Sequence, residues 1–98
     1  MSCAAPAGGA PLTTAIGNQS VIEGTVSRDG AGVGGAYVRL LDAAVEFTAE
    51  VPTDDAGSFR FFARPGRWTL RTLVPRSAPV DLDVSADAGA ITSVTVAV

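Results

Sequence analysis

From Val21 onward the chain alternates apolar and polar side chains with a period of two, and no other feature restricts its fold as strongly. "VIEGTV" is rich in β-branched residues and ends at "SRDGAGVGG", a Gly-dense loop containing Asp-Gly. "AYVRLLD" sets Ala36, Val38 and Leu40 against Tyr37, Arg39 and Leu41, and "EFTAEV" sets Phe47, Ala49 and Val51 inward against Glu46, Thr48 and Glu50. After the turn "TDDAG", "SFRFFA" sends Phe59 and Phe61 one way and Arg60 and Phe62 the other. "RPGR" is a turn with Pro and Gly at its centre. "WTLRTLV" then points Trp68 and Leu70 inward and Arg67, Thr69 and Arg71 outward. "VDLDVS" and "ITSVTVAV" alternate in the same way. No segment holds a helical apolar period across three turns. Seven short alternating runs separated by turns predict an all-β, seven-stranded antiparallel β-sandwich, in which each strand has one wet face. Phe59, Phe61 and Trp68 are its expected centre, and Phe62 is expected to be exposed or to mark a bulge.

Ninety-eight residues, 47% hydrophobic and 17% charged, suit one domain with its own core. Residues 1–19 are mostly Ala, Gly, Pro, Ser and Thr, too small to offset ordering entropy, and read as a flexible N-terminal arm before a domain at 20–98. The net charge is −3 with no basic run, which argues against nucleic acid as a partner. All seven cations are Arg. The chain has no His, which removes the usual general base near neutral pH and the commonest metal ligand. No catalytic residue, cofactor or metal is expected. The single cysteine, Cys3, excludes an intramolecular disulfide. No stretch has the pattern of a signal peptide or approaches the ~20 apolar residues of a membrane span, so a cytoplasmic protein without membrane contact is expected.

The order G-x-V, a Gly-rich loop, A-x-V-x-L and T-D-x-x-G-x-F-x-F-x-x-x-P-G-x-W-x-L runs through "VIEGTV", "GGAYVRLLD" and "EFTAEVPTDDAGSFRFFARPGRWTLR". It resembles the carboxypeptidase regulatory-like and transthyretin-like β-sandwiches, and within them the small bacterial SseC-type proteins. The resemblance covers about residues 21 to 98. It implies the sandwich fold, an association with sulfur metabolism and a thiosulfate sulfurtransferase of rhodanese type as a neighbour, without an established activity. In that family a Cys directly follows the initiator Met; here Ser2 intervenes, so chemistry needing an N-terminal Cys amine is in doubt while thiol chemistry is not.

Cys3 is the one strong nucleophile. On a mobile arm it would serve as a sulfur acceptor for a sulfurtransferase-type partner; the plainer reading is an inert tail residue. Arg39 and Arg71, sharing a face with Tyr37 and Thr69, together with Arg67, suit a small oxyanion or an acidic partner. The plainer reading is cross-strand pairing with Glu46 or Glu50. Arg64 and Arg67 at the "RPGR" tip stand where sandwiches often bind partners, though solubility alone would also place charge there. Asp54 and Asp55 read as turn-forming rather than Ca²⁺-binding, and "GAGVGG" lacks the features of a phosphate loop. The expected function is a non-enzymatic accessory module docking on a sulfurtransferase. The alternatives are a carbohydrate- or peptide-binding module using Tyr37 and Phe62, or a homodimer formed through the uncharged edge strand "ITSVTVAV".

Overall fold

The computed structural model describes residues 20–98. The expectations for the arm at 1–19 and for Cys3 lie outside the described residues. Eight strands follow one another without a helix: β1 (Ser20–Arg28), β2 (Ala31–Gly32), β3 (Tyr37–Leu41), β4 (Phe47–Pro52), β5 (Ser58–Ala63), β6 (Gly66–Leu73), β7 (Val80–Ala86) and β8 (Ile91–Ala97). Seven are the alternating runs of the sequence. The eighth, β2, is a two-residue strand inside the Gly-dense loop, so the count of seven is corrected to eight. It exists because Asp29 and Gly30 both take positive φ, 52° and 84°, which a tight hairpin turn demands and Asp-Gly supplies.

Two sheets face each other. In one, β1 is central, with β5 antiparallel on one side and β8 parallel on the other, and β2 extends the end of β1 as a hairpin. The other runs β4-β3-β6-β7, antiparallel throughout. All pairings but β1–β8 are antiparallel, and the connection that parallel pairing needs is supplied by the six strands β2 to β7 that lie between them in the chain. The core lies between the sheets. Ile22, Val26, Phe59, Phe61 and Val96 come from the first sheet, and Val38, Leu40, Trp68, Leu70 and Val84 from the second. Phe59, Phe61 and Trp68 are buried as expected, at 1%, 4% and 8% exposure. The Phe59 and Phe61 rings pack tilted at 58° with centroids 6.1 Å apart, an arrangement aromatic quadrupoles favour.

Phe47 departs from its expected inward position and is 63% exposed. The cause is a register shift: Leu40 pairs with Ala49 but Leu41 pairs with Phe47, leaving Thr48 as an extra residue. One extra residue inverts the parity of everything beyond it. Phe47 therefore turns away from the core into solvent, whereas Leu41, its partner in the register and expected on the outward side, is buried at 3% exposure.

The hairpin turn that follows Leu41 is held by Asp42. Its Oδ1 accepts from the Ala44 and Glu46 amides at 2.9 and 3.0 Å, while the Val45 amide donates to the Asp42 carbonyl at 2.8 Å. Val45 sits at φ 63°, a left-handed position that favours Gly and that a β-branched residue adopts at a cost of roughly 1–2 kcal/mol. Because Val45 is exposed, replacing it loses little packing. Val45→Gly is therefore expected to raise stability by about 1 kcal/mol, read as a higher urea midpoint with an unchanged slope.

Candidate functional site

The outer face of the second sheet carries four of the residues expected at a site. Tyr37 and Arg39 lie on β3, with Arg67 and Arg71 on β6, and Arg39 stands directly opposite Arg71 in the register. Two like charges side by side would repel, and the flanking strands neutralise them. Arg39 Nε donates to Glu50 Oε2 at 2.7 Å across to β4. Arg71 donates to both carboxylate oxygens of Asp81 on β7, at 2.9 and 3.0 Å. The row thus reads Glu50–Arg39–Arg71–Asp81, a cross-strand ladder with balanced charge. Pairing accounts for both arginines, with Glu50 and Asp81 as the partners and Glu46 taking no part in the ion pairs among the described residues. Tyr37 lies at one end of this face, 49% exposed, opposite Pro52 and Leu73.

The Arg71 guanidinium, chiefly through its hydrogen bond, holds the Asp81 carboxyl below the usual carboxylate range, and Asp81 in turn holds Arg71 further into the basic range. Since the folded pKa of Asp81 lies below its unfolded value, the pair contributes stability above the unfolded pKa. That contribution disappears as pH falls through the folded pKa. A carboxyl-detected NMR titration is expected to place the Asp81 midpoint below that of Asp81 in an Arg71→Gln variant.

Arg64 and Arg67 sit differently. The β5–β6 turn and the β3–β4 hairpin meet at one end of the sandwich and enclose a cleft of about 600 Å³, lined by Asp42, Ala43, Ala44, Arg64, Pro65, Gly66, Arg67 and Trp68. Trp68 is buried beneath it, its Nε1 donating to the Arg64 carbonyl at 2.9 Å, which ties the turn to the core. Arg64 and Arg67 are exposed, and neither forms an ion pair among the described residues. The strained Val45 and the exposed Phe47 belong to the same hairpin. Two unpaired guanidinium groups across a cleft from a hairpin that carries exposed apolar side chains suit an acidic protein surface with an apolar residue at its centre.

Some expectations are resolved by placement. Asp54 uses its Oδ1 to accept from the Ala56 and Ser58 amides at 3.0 and 2.9 Å, so it shapes the turn. Tyr37 and Phe62 lie on outer faces of different sheets and cannot stack on one ligand together. Arg60, grouped by parity with the outward arginines, is only 7% exposed and contacts Glu23 across the first sheet at 3.5 Å. Its burial carried no signal in the alternation. Among the described residues no helix is long and apolar enough to cross a membrane.

Comparison with known proteins adds a family and a fold. A family described as "Protein of unknown function (DUF1416)" matches residues 3–98. The chain is 51% identical over 74 residues to the uncharacterized proteins Rv0814c and Rv3118 of Mycobacterium tuberculosis, covering 72% of this chain and 74% of each of them. An uncharacterized protein of Mycolicibacterium smegmatis is 54% identical over 65 residues, covering 64% of this chain and 71% of that one. Among solved structures, a DUF3823 family protein from Parabacteroides merdae aligns with a TM-score of 0.56 at 16% identity, over 83% of this chain and 46% of its own. Catechol 1,2-dioxygenase from Acinetobacter sp. ADP1 aligns with a TM-score of 0.54 at 14% identity, over 71% of this chain and 37% of its own. The chain thus spans less than half of either solved neighbour, and the likeness to both is one of fold alone.

Proposed function

The chain belongs to the DUF1416 family of proteins of unknown function, and from that premise we propose that it is a non-enzymatic docking module which engages an acidic protein partner through the Arg64–Arg67 end of the sandwich. The observation that carries this reading is the contrast between the two arginine groups. Arg39 and Arg71 are held in ion pairs, whereas Arg64 and Arg67 line an open cleft against the hairpin that carries the exposed Val45 and Phe47, with no carboxylate paired to them among the described residues. A chain with no His, whose turn carboxylates Asp42 and Asp54 are engaged in backbone hydrogen bonds, is poorly equipped for acid–base work of its own.

The resemblance to SseC-type proteins supports a rhodanese-type thiosulfate sulfurtransferase in the cytoplasm as the partner. Cys3 is the natural acceptor. Its thiolate attacks the outer sulfur of the enzyme's persulfide, the enzyme's S–S bond breaks, and the enzyme thiolate leaves while Cys3 becomes the persulfide. Incubation with thiosulfate and a purified rhodanese-type enzyme, followed by intact-mass spectrometry, tests the transfer. The expected result is a gain of one sulfur atom on wild type and none on Cys3→Ser. No gain on wild type, together with no complex on gel filtration, would overturn the reading.

A second reading is self-association. β8 pairs only with β1 among the described residues and carries no charged side chain, which leaves its outer edge open to a second copy. Sedimentation velocity over a range of concentrations separates the two readings.

A further inference from the structure

The outer face of the first sheet, on the opposite side of the molecule from the arginine ladder, holds a polar groove of about 370 Å³. Its walls are Glu23 and Thr25 of β1, Ser58 and Arg60 of β5, and Ser93 and Thr95 of β8. The register makes this a compact array: Glu23 stands between Arg60 and Ser93, and Thr25 between Ser58 and Thr95. We infer that this groove is a binding site for a neutral, polyhydroxylated ligand of sugar size.

Arg60 carries the inference. Its side chain is 5% exposed, yet its only hydrogen bond among the described residues runs from Nε to Glu23 Oε1 at 3.5 Å, the far limit of such a bond. Thr72 Oγ1 is the one buried side-chain polar atom without a hydrogen-bond partner among the described residues, so the Arg60 guanidinium is not sealed off: what little surface it keeps opens to the solvent of the groove. The terminal nitrogens have no acceptor among the described residues, and the side chain lines the groove. A ligand that displaces the groove's water must therefore bring acceptors for Arg60.

The rest of the array selects the class. Glu23 lines the same groove with an acceptor-only carboxylate that repels a bound anion and balances the Arg60 charge. A sugar hydroxyl gives and accepts together, so it matches Arg60, Glu23 and the four Ser and Thr hydroxyls in turn. None of those four hydroxyl groups has a hydrogen-bond partner of its own among the described residues. Phe62 lies two residues along β5 from Arg60 on the same face, 43% exposed, and offers a ring for the C–H face of a sugar. The volume falls within the range of small-ligand sites, roughly 300–1,000 Å³.

The test is an amide NMR titration of the full ¹⁵N-labelled chain with glucose, galactose, mannose, N-acetylglucosamine and maltose, with sodium acetate and sodium sulfate in parallel. At least one sugar is expected to give saturable shifts confined to residues 23–25, 58–62 and 93–95. Arg60→Gln is expected to weaken that binding about tenfold or more. Because a change at Arg60 bears on folding, Thr95→Val at an exposed groove position is measured beside it, with an expected loss of several-fold. Saturation by no sugar would overturn the inference, as would shifts with acetate or sulfate alone, or sugar shifts that neither substitution changes.

Discussion

Phe59→Ala is expected to remove about 3–5 kcal/mol of stability, the usual cost of deleting a fully buried aromatic ring. Domains of this size hold roughly 5–15 kcal/mol in total, so the variant should sit close to unfolding at room temperature. The magnitude follows from position. Phe59 is 1% exposed on β5, beside the central strand of the first sheet, tilted against Phe61 and opposite Gly24 in the register. Removing the ring leaves a void that β1 and β5 cannot close without giving up their ladder. Urea melts followed by circular dichroism measure it. Phe47→Ala, which deletes an exposed ring from the same molecule, is expected to change stability by no more than about 0.5 kcal/mol. Equal effects from the two would contradict the placement of the core.

Gly24→Ala is the second large expectation, and here the sign is informative. At an unhindered strand position, Ala is favoured over Gly by roughly 0.5–1 kcal/mol. At Gly24 a Cβ would lie 2.8 Å from Val94 Cγ2 and 2.9 Å from Phe59 Cζ, and would run into the Val94 carbonyl oxygen. The Phe59 ring covers the space that the glycine leaves, and the β8 backbone closes the other side. Relief requires β5 or β8 to move, so a loss of about 1–3 kcal/mol or more is expected. The two sites must also couple. With Phe59 already truncated, the ring clash is gone and the added methyl should cost less, a non-additivity of roughly 0.5–3 kcal/mol in a double-mutant cycle. A stabilised Gly24→Ala variant, or strict additivity, would show that the sheet is not packed in this way.

The parity of "SFRFFA" and "WTLRTLV" was enough to identify Phe59, Phe61 and Trp68 as core residues, because neither run contains a bulge. "EFTAEV" misled for one reason. The extra residue at Thr48 inverts Phe47, and a bulge leaves no mark in an alternation whose polar positions are themselves tolerant. The adjacency of Arg39 and Arg71 was legible because both lie on outward positions of strands that the fold type pairs. Asp81, the partner of Arg71, was visible as an outward residue, but its opposition to Arg71 depends on the β6–β7 register, which a loop of this length does not set by local pattern. The Arg60–Glu23 groove was hidden more deeply. It forms only when the first, fifth and last strands lie side by side, an arrangement of long-range topology. Likewise the "RPGR" tip was readable as a turn, whereas its meeting with the Asp42–Glu46 hairpin to enclose a cleft was not.

Binding to an immobilised rhodanese-type sulfurtransferase, measured by interferometry for three chains, tests most directly whether the end of the sandwich is the docking surface. The chains are wild type, the double variant Arg64→Glu with Arg67→Glu, and the double variant Arg39→Gln with Arg71→Gln. The expected result is binding by wild type, a loss of about tenfold or more on reversing Arg64 and Arg67, and a change within about twofold on neutralising Arg39 and Arg71. A wild-type chain that does not bind, or binding that survives the first double variant and fails with the second, would contradict it.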